Sequence, residues 1–323
     1  MKPILLILDD WEGRIAASAC WDGLREQVEI RFLQGSISNV SDADLAGADF
    51  LMAIRERTAL TEEVFARLPQ LKLVLQTGGH AYHIDQDSAE KRGVLIALGR
   101  RAKAPLLSVP ELSIAMMLGV VHMLPQAQQA MRTGQWPLLT GHTLNGRRLG
   151  ILGLGRHGSR VAQIAKTAFN MEVAAWQRPG GTVTGPNDIP RLPLDELLRT
   201  SDVVSIHLRL SKESTGLLTA ERLQIMKPGS VLINTSRGAI VDESGLIEAL
   251  TNGPLSGAGI DVFSHEPLAP NSPLRSLNNV VLTPHIGWTV EEVFEEFAQI
   301  ACTQLMQYLQ GGLPSSELLT MTR

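Results

Sequence analysis

The chain has 323 residues, 44% of them hydrophobic and 19% charged, with a formal net charge of −4. That balance supplies no basic surface for nucleic acid or for an anionic membrane, and the length exceeds one ordinary core, so two domains are expected. Two cysteines, Cys20 and Cys302, cannot build a disulfide framework and suit a reducing cytoplasm.

The N-terminal apolar run at 4–8 ends in two acids. It lacks the longer core and cleavage site of a signal peptide and reads as a buried strand. No stretch approaches the ~20 apolar residues that span a bilayer. Further apolar runs at 29–33, 50–54, 71–76 and 94–98 alternate with helical patterns such as 61–68 and 85–92. Strands separated by helices predict a parallel α/β sheet. Directly after the fourth run, Gln76-Thr77-Gly78-Gly79-His80 reads either as an ordinary turn or as a backbone cradle for a small anion.

Residues 99–109 carry three cations and a proline with no clear period, which predicts a crossover between domains. A long helix is then expected from about 110 to 132. Its apolar residues (Leu112, Ala115, Met116, Leu118) lie nearly all round, so it should be buried on more than one side. Met116, Met117, Met123 and Met131 read as core filler or a subunit interface, and Pro125 as a kink. Residues 133–146 read as an extended arm.

The stretch 148–178 carries the strongest local signal. A short apolar run leads into Gly153, Gly155 and Gly158, a helical pattern follows (Val161, Ile164, Ala165, Ala168), and a second apolar run covers 173–176. Strand, glycine turn, helix and strand in that order predict a dinucleotide site, with a pyrophosphate on the free N–H groups of the helix start. Strand candidates at 203–208, 231–235, 257–263 and 280–284, with helices near 194–198 and 243–250, extend this into a doubly wound sheet of six or seven strands. An amphipathic helix at 290–309 (Val293, Phe294, Phe297, Ile300, Leu305, Tyr308) is expected to return to the first domain. The domains are therefore 1–104 with 289–323, and 105–288 between them. Both read as Rossmann-like, the second inserted into the first.

Three chemically capable residues follow strand runs in the second half. Arg237 follows VLINTS, Glu266 follows GIDVFSH and His285 follows VVLTP, so each should reach the carboxyl edge of the sheet. A guanidinium fork can hold a carboxylate and carbonyl. An imidazole can exchange a proton with the carbonyl or hydroxyl oxygen, and a carboxylate paired with it would favour its charged form.

The segments LGILGLGRHGSRVA, INTSRGAIVDESGLIEAL, GAGIDVFSHEPL and LTPHIGWT resemble the D-isomer-specific 2-hydroxyacid dehydrogenase family, in the manner of glyoxylate and hydroxypyruvate reductases. The resemblance implies a cleft between a substrate domain and a nucleotide domain, and a homodimer through the nucleotide domains with the long helix at the interface. It implies an NAD(P)-dependent enzyme with Arg237, Glu266 and His285 as the catalytic set. Gly78 and Gly79 fall on the loop that holds the substrate carboxylate. Arg156, His157, His207, Leu208, Thr215, Thr235, Ser236, Asp261 and Gly287 join the three glycines on the cofactor side. His80 stands where the family usually has a further glycine, and Trp288 where many members have a small residue; with Arg55 they are the candidates for shaping the substrate pocket.

Gln177 lies 24 residues past Gly153 (177 − 153), where NAD-preferring folds place an acid for the ribose hydroxyl. A glutamine does not repel a 2′-phosphate, Arg178 beside it can pair with one, and Arg209 can assist, so NADP(H) is favoured over NAD. No metal is expected. The resemblance also leaves other readings open: a phosphite- or formate-type dehydrogenase of the same superfamily, or a nucleotide-sensing binding protein similar to the C-terminal-binding co-repressors.

Overall fold

In the computed structural model, residues 2–33, 37–177, 186 and 188–320 are described. The chain divides into two compact units, Met1–Ala104 with Thr289–Arg323, and Pro105–Trp288. The first unit opens with β1 (Ile4–Ile7), α1 (Trp21–Leu24), β2 (Glu29–Phe32), α2 (Asp42–Ala46), β3 (Phe50–Ala53), α3 (Glu62–Ala66), β4 (Leu73–Gln76), α4 (Gln86–Lys91) and β5 (Leu95–Leu98). All its strand pairs are parallel, in the order β2-β1-β3-β4-β5. Every residue of β3 and β4 is buried. These strands read as unbroken apolar runs because helices cover both faces of a parallel sheet. Ser41 and Asp85 cap α2 and α4 by accepting from Asp44 N and Ser88 N, which fixes where those helices begin.

The second unit holds α5 (Pro105–Val121), α6 (Leu124–Arg132), β6 (Arg148–Leu152), α7 (Arg156–Phe169), β7 (Glu172–Trp176), α8 (Leu194–Thr200), β8 (Val203–Ile206), α9 (Ala220–Gln224), β9 (Ser230–Asn234), α10 (Glu243–Thr251), β10 (Leu255–Ile260) and β11 (Val280–Leu282). Its six parallel strands run β11-β10-β9-β8-β6-β7, so the order reverses between β6 and β8. Loops at the carboxyl ends on either side of such a reversal leave a crevice between them.

The helix expected at 110–132 is instead two helices, and the crossover expected through 109 ends sooner. α5 begins at Pro105 and contains Pro110, while Met123 adopts the left-handed conformation (φ 56°) and turns the chain by 67° into α6. Pro125 then sits in the first turn of α6, where its missing N–H breaks no helical bond. α5 packs on β9, β10, β11 and α7, burying Met116 and Met117, whereas Met131 on α6 is exposed. Among the described residues no single helix is long and apolar enough to cross a membrane.

The last helix, α11 (Glu291–Leu309), packs on α1 and β4 of the first unit. Its buried residues Val293, Phe294, Phe297, Ala298, Ala301, Cys302 and Leu305 recur at helical spacing. Glu296 on this helix accepts from Lys103 N (2.6 Å) and Ala104 N (2.9 Å), and Gln304 donates to Leu98 O (3.1 Å). The two ends of the chain are thereby tied into one core.

Candidate active site

The glycine turn lies at the reversal point of the second sheet. Gly153 follows β6 with φ +96°, a conformation strained for any residue with a Cβ, and a Cβ there would meet His207 O at 2.7 Å. A Cβ on Gly158 would collide with Gly153 O, so that position is set by the close approach of α7 to the turn. Gly155 differs. Its backbone is extended, and a Cβ would find nothing within 4 Å. The space above Gly155 is therefore open at the N-terminus of a 14-residue helix, whose first N–H groups have no intrahelical acceptor. The buried face of α7 is Gly158, Val161, Ala162 and Ala165; Ala168 of the expected pattern is exposed.

His207 follows β8 and is bound through its ring Nε2 to Ser205 Oγ (2.9 Å). Its Nδ1 is buried and has no hydrogen-bond partner among the described residues. Burial lowers its pKa to about 3 and His157 adds repulsion, so the ring is neutral. An open helix start, a glycine cradle and an orphaned buried nitrogen together fit a dinucleotide. Arg156 is exposed at the first position of α7, and Leu208 and Thr215 lie in the segment after β8. Gln177 follows β7 directly; Arg178 lies outside the described residues.

Arg237, Glu266 and His285 all leave the carboxyl edge of this sheet, after β9, β10 and β11. Asn234, 2% exposed at the end of β9, shapes the first loop by accepting from Ser236 N (3.0 Å) and donating to Arg237 O (3.0 Å). Ser236 Oγ donates to Ile206 O (2.7 Å), and Thr235 Oγ1 lies 2.8 Å from Ser113 Oγ. Glu266 Oε2 stands 2.7 Å from His285 Nδ1, while Oε1 accepts from Phe263 N (2.9 Å). Burial opposes ionisation of Glu266. The bond to His285, the nearby charges of His285 and Arg237 and the Phe263 N–H outweigh it, and hold the carboxyl below its ordinary range.

Asp261 does something the sequence reading did not anticipate. Resemblance places it on the cofactor side, but its carboxylate, 1% exposed, grips the loop that carries the histidine. It accepts from Thr283 Oγ1 (2.5 Å), Ile286 N (2.8 Å) and Gly287 N (2.9 Å), and Asp261 O accepts from His285 N (2.8 Å). Those bonds hold His285 at φ +55°, an uncommon conformation for a non-glycine residue. Burial raises the Asp261 pKa against these donors. The signals for Asp261 and Asn234 were a polar residue at the buried end of an apolar strand. Trp288, next along, is 7% exposed.

The remaining predicted residues belong to the first unit. Arg55 follows β3 with φ +53° and lies over Gly78, where its guanidinium occupies the place of a Cβ. Arg55 N donates to Thr77 Oγ1 (2.7 Å), which couples the two loops. Glu56, missed from sequence, is the hub of this corner. Its Oε1 lies 3.5 Å from Arg55 Nη2 and 3.1 Å from His80 Nε2, and accepts from Tyr82 OH (2.7 Å). The His80 and Tyr82 rings stack at 4.7 Å. His80 and Arg55 are thus members of one network beside Gly78 and Gly79, and Arg55, with its side chain 15% exposed, is no ordinary surface charge.

Residues 114–287 match the family described as D-isomer specific 2-hydroxyacid dehydrogenase, NAD binding domain. The chain is 35% identical to a glyoxylate reductase of Thermofilum pendens over 282 residues, 82% of each protein. It is 30% identical to a hydroxypyruvate reductase of Blautia hydrogenotrophica over 316 residues, 94% of this chain and 93% of that one. A D-3-phosphoglycerate dehydrogenase of Mycobacterium bovis is 34% identical over 293 residues, which are 90% of this chain but 54% of that longer protein. Among solved structures, the TT0316 protein of Thermus thermophilus superposes with a TM-score of 0.87 at 32% identity, covering 98% of this chain and all of that one.

Proposed function

The chain belongs to the D-isomer-specific 2-hydroxyacid dehydrogenases, and we propose that it interconverts a small 2-oxo acid, glyoxylate or hydroxypyruvate, with its D-2-hydroxy acid. The observation that carries this reading is the Glu266–His285 pair at the same sheet edge as the open glycine turn. Reduction adds a hydride to the carbonyl carbon and a proton to its oxygen. A bound nicotinamide dinucleotide supplies the hydride. With Nδ1 of His285 engaged by Glu266, Nε2 is the nitrogen left to give the proton to the oxygen, and to take it back in oxidation. Arg237 holds the substrate carboxylate and polarises the carbonyl. In the first unit, the backbone of Gly78 and Gly79 is the cradle for the carboxylate, with Arg55, His80 and Glu56 setting what side chain is accepted. Trp288 adds bulk to the substrate side.

Gly153, Gly155, Gly158, Arg156, His157, His207, Leu208, Thr215, Thr235, Ser236 and Gly287 are assigned to holding the dinucleotide. Gln177 carries no negative charge to repel a 2′-phosphate, so NADP(H) is the favoured form. A homodimer formed through the second units accounts for the large exposed side chains that cluster there, Trp136 at 83% and Leu138 at 98%. A reducing cytoplasm suits the two thiols.

The test is nicotinamide absorbance followed with glyoxylate, hydroxypyruvate and pyruvate for reduction and 3-phosphoglycerate for oxidation, each with both cofactor forms. Turnover on a 2-oxo acid is expected, faster with NADPH. Tight nucleotide binding without turnover on any acid would replace this reading with that of a nucleotide sensor. Gln177→Asp should move the NADPH-to-NADH ratio of kcat/KM toward NADH by about tenfold. An unmoved ratio removes the cofactor argument.

A further inference from the structure

The only two cysteines of the chain lie 282 residues apart and meet inside the first unit. Cys302 is buried on the inner face of α11, 3% exposed, and Cys20 is partly exposed at the start of α1. Cys302 Sγ donates to Cys20 O at 3.0 Å, which puts the two residues in direct contact. Around them, Cys20 N donates to Ser18 Oγ (3.3 Å), which donates in turn to Glu295 Oε1 (3.1 Å) on α11. None of these groups takes part in the proposed hydride transfer.

We propose that Cys20 and Cys302 are a modification site, closed by oxidation to a disulfide that staples α1 to α11 and reopened by a dithiol. With the Cys302 sulfur already against the Cys20 backbone, on helices that pack together, side-chain rotation is what the ~2.05 Å bond requires. The roles of the two thiols differ. Cys20 has access to solvent, and its contacts with Cys302 and Ser18 favour the thiolate against burial and the opposing charges of Glu295 and Asp22. Donation to Cys20 and burial keep Cys302 protonated. Cys20 is therefore the attacking sulfur and Cys302 the resolving one.

With a peroxide as oxidant, the Cys20 thiolate attacks the O–O bond and becomes a sulfenic acid, the departing hydroxide taking a proton to form water. The Cys302 sulfur then attacks the Cys20 sulfur, and the sulfenic hydroxyl leaves with the Cys302 proton as a second water. Two thiols and one peroxide yield one disulfide and two waters. The peroxide gains the two electrons that the sulfurs lose.

The experiment needs no turnover, so it stands or falls apart from the proposed activity. The full chain, treated with a small excess of hydrogen peroxide, should lose both titratable thiols and about 2 Da while staying uncrosslinked between chains. A non-reducing peptide map should join Cys20 to Cys302. Thermal unfolding should move up by roughly 5 °C, because the bond constrains a long loop of the unfolded chain, and dithiothreitol should reverse the shift. Cys20→Ser and Cys302→Ala should each lack the shift, and Cys20→Ser should keep the reduced wild-type turnover. If Cys302→Ala does not fold, Cys20→Ser and the peptide map decide. A Cys20 oxidised to sulfinic acid beside an intact Cys302 thiol, or chains crosslinked through Cys20, would overturn the proposal.

Discussion

The Glu266 carboxylate and the His285 imidazole stand 2.7 Å apart, Oε2 to Nδ1, although they leave different strands of the sheet. The second carboxylate oxygen is fixed by Phe263 N, so the pair has one geometry and the ring has one nitrogen to spare. Glu266→Gln keeps the shape and removes the charge. Glu266 is held below its ordinary range, so it is ionised through the neutral pH region and keeps a negative charge against the imidazole. Reduction draws a proton through that ring, and the variant removes the charge beside it. In the variant kcat/KM for reduction near neutrality should drop about 10–100-fold. Equal kcat/KM in wild type and variant would end the argument.

His285→Ala and Arg237→Ala should separate chemistry from binding. Loss of the proton donor should lower kcat by about 10²–10⁴ with little change in nucleotide affinity. Loss of the guanidinium should raise KM for the acid as well as lower kcat. Steady-state kinetics and a nucleotide titration check both, and unchanged rates in either variant would remove that residue from the proposed set.

Gly155→Ala and Gly158→Ala should fail in different ways. Alanine at 155 meets nothing within 4 Å in the protein and adopts that backbone readily, so unfolding should be unaffected while the KM for nucleotide rises. Alanine at 158 collides with Gly153 O, and the thermal midpoint should fall. Equal nucleotide affinity in wild type and Gly155→Ala would show that the open space is not where the pyrophosphate lies.

Asp202 provides a pH-dependent contribution to stability. It accepts from Arg148 N (2.9 Å) and Lys227 Nζ (2.7 Å), and Arg147 lies at 3.5 Å. Burial works against its charge, but these partners lower its pKa below 3.8. A depressed carboxyl stabilises the fold fully above its unfolded value and loses that contribution as pH falls through the folded one. Asp202→Asn should cost about 1–3 kcal/mol at pH 7, and the gap between the two proteins should narrow as pH falls below the unfolded carboxyl value of about 3.9. Denaturant melts at pH 7 and pH 3 test this; a gap of the same size at both would assign the loss to shape instead of charge.

Some of this was legible along the chain. The buried strands are continuous apolar runs, and the parallel α/β architecture with its glycine turn follows from that pattern. Where the helices break was legible only in part, through Pro125, which lies two residues past the bend. Pro110 resembles a helix start and lies within α5, while the bend comes at Met123, whose left-handed backbone no residue preference announces. The hub role of Glu56 was equally hidden, since it depends on His80 and Tyr82 folding back from a later loop.

The sequence by itself determined two Rossmann-like sheets and the placing of an arginine, a glutamate and a histidine after successive strands. It could do so because a strand buried on both faces leaves an apolar signature and its end is marked by the first polar residue. Only the tertiary structure decided that Glu266 faces His285, that Asp261 holds the histidine loop, and that Cys20 rests on Cys302. Each of these joins side chains from separate elements, and their meeting depends on strand register, helix packing and a few left-handed backbone positions that local patterning does not encode.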